Sequence, residues 1–138
     1  MPQDLFELTG SVALVTGGSR GLGREMVLAF AQHGADVVIA SRKLENCNAV
    51  AAEVRALGRR ALPVAYHAGS WADADALADA AYAEFGKIDI LVNNAGMSPL
   101  YPSVDAVSED LFDKVIGVNL KGPFRLSPLV GTRLAADA

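Results

Sequence analysis

Short apolar runs alternate along the chain with longer stretches in which apolar positions recur three and four residues apart. The short runs are Val12 to Thr16, Val37-Val38-Ile39-Ala40, Ala61 to Tyr66 and Ile88-Asp89-Ile90-Leu91-Val92. They have strand length and are rich in β-branched residues. Between the first two, Met26, Val27, Phe30 and Ala31 share one face of a helix predicted from Gly21 to about His33. Leu44, Cys47, Val50, Ala51, Val54 and Leu57 do the same over 44–57, and Leu77, Ala81 and Phe85 over 73–85. Gly34, Gly58 and Gly86 stand just past these helices as stop signals. Strands this apolar are buried on both faces, so helices must cover a parallel sheet. Right-handed crossovers then predict a doubly wound α/β fold, with the strand order left open.

After Asn93 the pattern changes. Ala95 to Val107 reads as a loop holding Pro99 and Pro102, and Ser108 can cap an apolar-rich helix that reaches Asn119. A last helical stretch, Phe124 to Ala136, follows Gly122-Pro123 and carries Pro128 inside it. A proline within a helix lacks an N–H and clashes with the preceding turn, at a cost of ~3 kcal/mol. A break is therefore expected near Pro123 or Pro128. The chain shows no internal repeat and no low-complexity linker.

Composition narrows the class without naming a function. With 138 residues, 51% hydrophobic and 20% charged, the chain suits one compact domain over 1–138. A net charge of -4 gives no reason to expect nucleic acid or an anionic membrane as a partner. The lone Cys47 forms no internal disulfide, and no Cys/His cluster has zinc-ligand spacing. Reducing cytoplasm is the expected compartment. The first residues lack the basic patch and apolar core of a secretory signal, and no apolar run is long enough to span a bilayer.

The chemistry concentrates where the first strand ends. Thr16-Gly17-Gly18-Ser19-Arg20-Gly21-Leu22-Gly23 joins that strand to the first helix. Glycines let backbone approach a pyrophosphate, and the helix start adds free N–H groups and about half a positive charge. Its spacing, T-G-x-x-x-G-x-G, differs from the common G-x-G-x-x-G fingerprint. Taken alone, such a turn could merely link a strand to a helix.

Two further segments settle on a resemblance. Asn93-Asn94-Ala95-Gly96 follows the fourth strand, and Val118-Asn119-Leu120-Lys121-Gly122 lies near the last predicted break. With the glycine-rich turn, these resemble the three N-terminal motifs of the short-chain dehydrogenase/reductase family, in order and over essentially the whole chain. The resemblance implies a Rossmann-type doubly wound sheet, truncated after the fourth strand and its following helices. It also implies a nicotinamide dinucleotide moving hydride between carbonyl and alcohol carbons of a small molecule. The cofactor-binding residues it assigns are Gly17, Ser19, Arg20, Gly21, Leu22, Gly23, Ser41, Arg42, His67, Ala68, Asn94, Ala95 and Gly96. Asn119 matches the asparagine that supports a water-mediated proton relay. As isolated residues, Asn94 and Asn119 read equally well as turn and helix-break residues.

Cofactor choice falls at the end of the second strand. An acid there holds the ribose 2′-hydroxyl of NAD, whereas an arginine accommodates the 2′-phosphate of NADP. Ser41-Arg42-Lys43 offers cations and no acid, and Arg20 can approach the same group, so NADP is expected over NAD. The bland alternative makes Arg42 and Lys43 solvated residues opening a helix. Cations there are unfavourable by ~0.3–1 kcal/mol, which an anionic ligand would offset. A methyltransferase also carries a glycine-rich turn after its first strand, but needs an acid where Ser41-Arg42 stands. His67 departs from the family, which usually has an aspartate there for the adenine amino group. Neutral imidazole can accept a hydrogen bond or stack, and Ala68 would line the adenine pocket by its backbone.

The proton-transfer half of the family's site is missing. Family catalysis uses a serine and a Tyr-x-x-x-Lys pair beyond the asparagine. Here Tyr66, Tyr82 and Tyr101 are followed four residues on by Ser70, Gly86 and Asp105. The only serine after Asn119 is Ser127, inside the last helix. The chain is therefore expected to be a fragment or truncated product, inactive alone, with Ile88, Ile90 and Val92 on an exposed sheet edge. Phe124, Leu126, Leu129, Val130 and Leu134 suit a homo-oligomer interface in the full-length form.

Overall fold

The computed structural model describes residues 4–138. Met1, Pro2 and Gln3, part of the domain predicted over 1–138, lie outside the described residues. Strands and helices alternate as β1 (Val12–Thr16), α1 (Gly21–Gln32), β2 (Asp36–Ser41), α2 (Leu44–Ala56), β3 (Ala61–Ala65), α3 (Trp71–Phe85) and β4 (Ile90–Val92). A 3₁₀ turn at Val104–Ala106 then leads into α4 (Glu109–Ile116), a π segment at Gly117–Lys121 and α5 (Gly122–Asp137). All strand pairings are parallel, in the order β3-β2-β1-β4. This matches the first part of the doubly wound order 3-2-1-4-5-6, so the expected Rossmann-type parallel sheet is the one observed.

Period-two alternation distributes β1 and β2 between two cores. Leu14 and Val38 face a cluster with Leu77, Ile88, Leu126 and Val130, contributed by α3, α5 and the approach to β4. Val15, Val37 and Ile39 face the other way, onto Val27 of α1 and Cys47, Val50 and Val54 of α2. The sheet is thus covered on both sides, and both central strands are almost wholly buried. Leu44 and Leu57, assigned to the buried face of the second helix, lie at its ends and are largely exposed.

β3 and β4 are the edges. Pro63 is tolerated in the middle of β3 for that reason. The Tyr66 N–H is donated to the Ser41 carbonyl, so by alternation position 63 points away from β2. On the other edge Ile90 and Val92 are half-buried, as an outer strand requires. Ile88 is not on that edge. It precedes β4 and is buried in the core, while Asp89 extends the pairing by exchanging bonds with Val12.

The last helices depart most from expectation. No break occurs at Pro123 or Pro128: helix runs from Glu109 to Asp137, with its hydrogen-bond register shifted at Gly117–Lys121. Pro123 stands just past the π segment and Pro128 lies within α5, and the helix accommodates both without a break. A close approach explains Gly122: a Cβ there would collide with the Ala68 carbonyl oxygen. Leu126 and Val130 do not form an outer face either, since both are buried in this chain's own core. Phe124 remains exposed.

Candidate functional site

At the C-terminal ends of the strands the glycine-rich turn and the Asn-Asn-Ala-Gly segment are locked together. Thr16, one of the few buried polar residues, accepts the Asn94 and Ala95 N–H groups on Oγ1 at 3.0 and 3.1 Å. Asn94 Nδ2 donates back to the Gly17 carbonyl at 3.2 Å. Gly23 packs beneath this junction, where any Cβ would collide with the Gly17 carbonyl oxygen. Thr16 was not assigned a role from sequence, although a polar residue closing an apolar strand was a usable signal.

Above the junction lies a cleft of about 1130 Å³. Of the expected cofactor residues, Gly17, Ser19, Arg20, Gly21, Ser41, Arg42, His67, Ala68, Asn94, Ala95 and Gly96 line it. Leu22 and Gly23 do not. Leu22 is solvent-exposed at the start of α1, and Gly23 is the packing residue below. Asn119 lines a smaller adjoining pocket of about 430 Å³ with Asn93, Gly96, Met97 and Ser98. The cleft also takes in Lys43 and Asn46 from the start of α2, Tyr66 and Gly69 after β3, and a wall of Asp110, Asp113 and Lys114 from α4. Asn46 is one helical turn beyond Arg42, a proximity that helix geometry makes legible once α2 is placed.

Charge is distributed unevenly around this cleft. Arg24, Arg59, Arg60 and Arg125 each reach a carboxylate elsewhere on the surface. Arg20, Arg42 and Lys43 have no ion-pair partner among the described residues. Arg20 and Lys43 are moreover the N-cap residues of α1 and α2, and neither supplies a side-chain cap. Gly21 at the start of α1, Lys43 at the start of α2 and the cations Arg20 and Arg42 therefore border one cavity. A hydroxyl ladder connects the two starts: Ser41 Oγ donates to Ser19 Oγ at 2.8 Å and lies 3.0 Å from the buried Cys47 Sγ.

His67 and Asn119 are held by specific bonds. The Asp73 carboxylate accepts the His67 N–H at 2.9 Å, and the His67 ring accepts the Gly69 N–H on Nδ1 at 3.0 Å. Asn119 clamps Met97 with both side-chain groups, Oδ1 accepting its N–H and Nδ2 donating to its carbonyl, each at 2.8 Å. The Asn119 carbonyl lacks an α-helical partner, because the residue four positions on is Pro123. Asn93 Nδ2 donates to Ser127 Oγ at 3.0 Å, which commits that hydroxyl to joining β4 and α5. Burial, reinforced by Asp73, holds the Tyr66 phenol above the usual tyrosine range, so it stays protonated at neutral pH. Among the described residues no cluster of three or more His, Cys, Asp or Glu could hold a metal ion, and no helix is long and apolar enough to cross a membrane.

A parallel sheet of order 3-2-1-4 with a glycine-rich turn and the α1 start at its switch point is the architecture of the Rossmann class. Comparison with known proteins agrees. The short chain dehydrogenase family model matches residues 11–137, and the chain belongs to that family. It is 44% identical over 136 residues to the 2-dehydro-3-deoxy-D-gluconate 5-dehydrogenase of Pseudoalteromonas atlantica, covering 95% of this chain and 52% of that protein. Among solved structures it resembles a metagenomic short-chain oxidoreductase in complex with NADP, with TM-score 0.91 and 34% identity, over 94% of this chain and 59% of that one. The 3-ketoacyl-(acyl-carrier-protein) reductase of Brucella melitensis, complexed with NADH, gives TM-score 0.81 and 40% identity over 88% and 49%. The chain thus spans about half the length of these relatives.

Proposed function

We propose that this chain is the cofactor-binding part of an NADP-dependent oxidoreductase that interconverts a carbonyl and an alcohol on a small molecule. The observation that carries the cofactor choice is the end of β2. Among the described residues Arg42 and Lys43 stand there without carboxylate partners, Arg20 lines the same cleft, and Ser41-Arg42-Lys43 offers no acid to hold a ribose 2′-hydroxyl. The residues fit the group: the N–H groups opening α1 take the pyrophosphate, and Ser19, Ser41, Arg20 and Arg42 take the 2′-phosphate. Gly17, Gly21, Asn94, Ala95 and Gly96 give the backbone room for the riboses, His67 and Ala68 border the base, and Leu22 and Gly23 shape the turn.

When bound, the nicotinamide exchanges hydride with the carbonyl carbon. Asn119 contributes to proton movement through its backbone carbonyl, since its side chain is committed to Met97. The proton donor itself is not among Tyr66, Tyr82 and Tyr101, so we propose that it lies in sequence beyond these 138 residues and that this chain alone does not turn over. The parent is proposed to be cytoplasmic and homo-oligomeric, through exposed apolar residues of α4 and α5 such as Phe112 and Phe124.

Calorimetric titration with 2′,5′-ADP against 5′-ADP tests the reading. The expected result is tighter binding of 2′,5′-ADP by about tenfold or more, the worth of one or two charge-assisted hydrogen bonds. A preference for 5′-ADP overturns the NADP assignment, and no heat with either ligand overturns the cofactor assignment. NADPH oxidation by this chain with any carbonyl substrate would contradict the missing donor.

A further inference from the structure

Where β2 meets the glycine-rich turn, three small polar side chains stand in a row from the interior to the cleft. Cys47 is fully buried, while Ser41 and Ser19 are half-buried and line the cleft. Cys47 Sγ lies 3.0 Å from Ser41 Oγ, and Ser41 Oγ donates to Ser19 Oγ at 2.8 Å. Each hydroxyl has one proton, so the row has a direction. The Ser41 proton is spent on Ser19, which leaves the thiol as the donor to Ser41. Other acceptors for the S–H are farther away, the Val64 carbonyl at 3.7 Å and the Ser41 carbonyl at 3.9 Å. Ser19 accepts from the inner side, so its own proton is left for the cleft.

The outer end of the row meets positive charge. Ser19 precedes Arg20 and Ser41 precedes Arg42, and both arginines border the same cavity without ion-pair partners among the described residues. An anion held by them accepts from Ser19 and reinforces the two bonds behind it, because hydrogen bonds in a chain polarise one another. A reversed row would show that anion only lone pairs and would end on sulfur, a weak acceptor. If Cys47 served the core alone, it would need only volume, which valine also supplies.

We infer that Cys47 is a positioning residue for the cofactor's 2′-phosphate: its thiol holds Ser41 as an acceptor and so turns the Ser19 O–H outward as a donor to that phosphate. This rests on the reading of the cleft as an NADP site. Cys47 itself touches no ligand. It acts through Ser41 and Ser19, and it favours NADP over NAD without adding charge.

Infrared spectroscopy of the S–H stretch tests the row directly, since the chain has one cysteine and the band is unshared. Saturating 2′,5′-ADP is expected to move the band to lower wavenumber, and 5′-ADP to leave it in place. Calorimetric titration adds the affinities. Cys47→Val fills the space without a donor and should weaken 2′,5′-ADP by about two- to fivefold with 5′-ADP unchanged, the share of one hydrogen bond. Cys47→Ser keeps a donor and should retain most of the 2′,5′-ADP affinity. In a Ser19→Ala background Cys47→Val should have no further effect, because the row has already lost its outer end. A band that 2′,5′-ADP leaves in place, or that 5′-ADP moves as far, overturns the inference. Equal weakening of both ligands by Cys47→Val, or no weakening of either, also overturns it, as does a Cys47→Ser variant that binds like Cys47→Val. The band is read on the wild type, so a variant that fails to fold leaves the test standing. A wild type that still prefers 2′,5′-ADP keeps the NADP reading through any of these failures, and one that binds neither ligand removes that reading and this inference together.

Discussion

The four helices that open on side-chain-bearing turns do so in two ways. α3 and α4 begin at Ser70 and Ser108, whose hydroxyls accept the N–H groups of Asp73 and Leu111. Both have acids in their first turns. α1 and α2 begin instead at Arg20 and Lys43, with no side-chain cap, and α1 has no acid in its first turn. A missing cap costs ~1 kcal/mol and a cation at a helix start another ~0.3–1 kcal/mol. Two helix starts beside the cavity lack the side-chain cap that Ser70 and Ser108 give α3 and α4, although α2 carries Glu45 in its first turn. Local rules are broken at sites that bind, because the ligand supplies the missing partner.

That contrast can be broken most severely from below. Gly23→Ala would drive a methyl into the Gly17 carbonyl and the Asn94 amide, displacing the turn that places the α1 start. Overpacking of this kind should lower stability by ~1–3 kcal/mol in urea denaturation, and calorimetry should find no 2′,5′-ADP binding. Arg42→Ala tests the charges alone. It should weaken 2′,5′-ADP by about tenfold or more, the worth of a charge-assisted hydrogen bond, and leave 5′-ADP within twofold. Equal weakening of both ligands would show that Arg42 acts on the cleft's shape rather than on a 2′-phosphate. On the other side of the comparison, Ser108→Ala should cost ~1 kcal/mol of stability with nucleotide affinity unchanged. A Ser108→Ala variant as stable as the parent would mean that its hydroxyl caps nothing of value.

Much of the first ninety residues was legible because local pattern and tertiary role coincide there. Val12–Thr16 and Val37–Ala40 are apolar at every position or nearly so, and the fold buries them on both faces. Strand order was not legible, since sequence periodicity says nothing about which strand neighbours which; the pairing of β4 with β1 supplies it. The C-terminal helices were misread for a related reason. A proline signals a break, but the helix carries Pro123 through a register shift at Gly117–Lys121, a segment that also meets distant partners, with Asn119 clamping Met97 and Gly122 packed against Ala68. Apolar spacing assigned Leu126 and Val130 to an interface between subunits, but they are buried within this chain's own core, against residues that include those of α3. At the site, the glycine turn, the cations and the asparagines were readable as motifs. The bond between Gly69 and the His67 ring was not, because only the folded loop makes it.

The most direct measurement is urea denaturation of the parent and of an Arg20→Ser/Lys43→Ser variant, each with and without saturating 2′,5′-ADP. Serine restores both caps and removes both misplaced charges, so the variant should be more stable than the parent by ~3–4 kcal/mol when ligand is absent. It should also gain much less stability from the ligand than the parent gains. A variant no more stable without ligand, and stabilised by it as strongly as the parent, would contradict the claim that these two helix starts are left open for an anionic nucleotide.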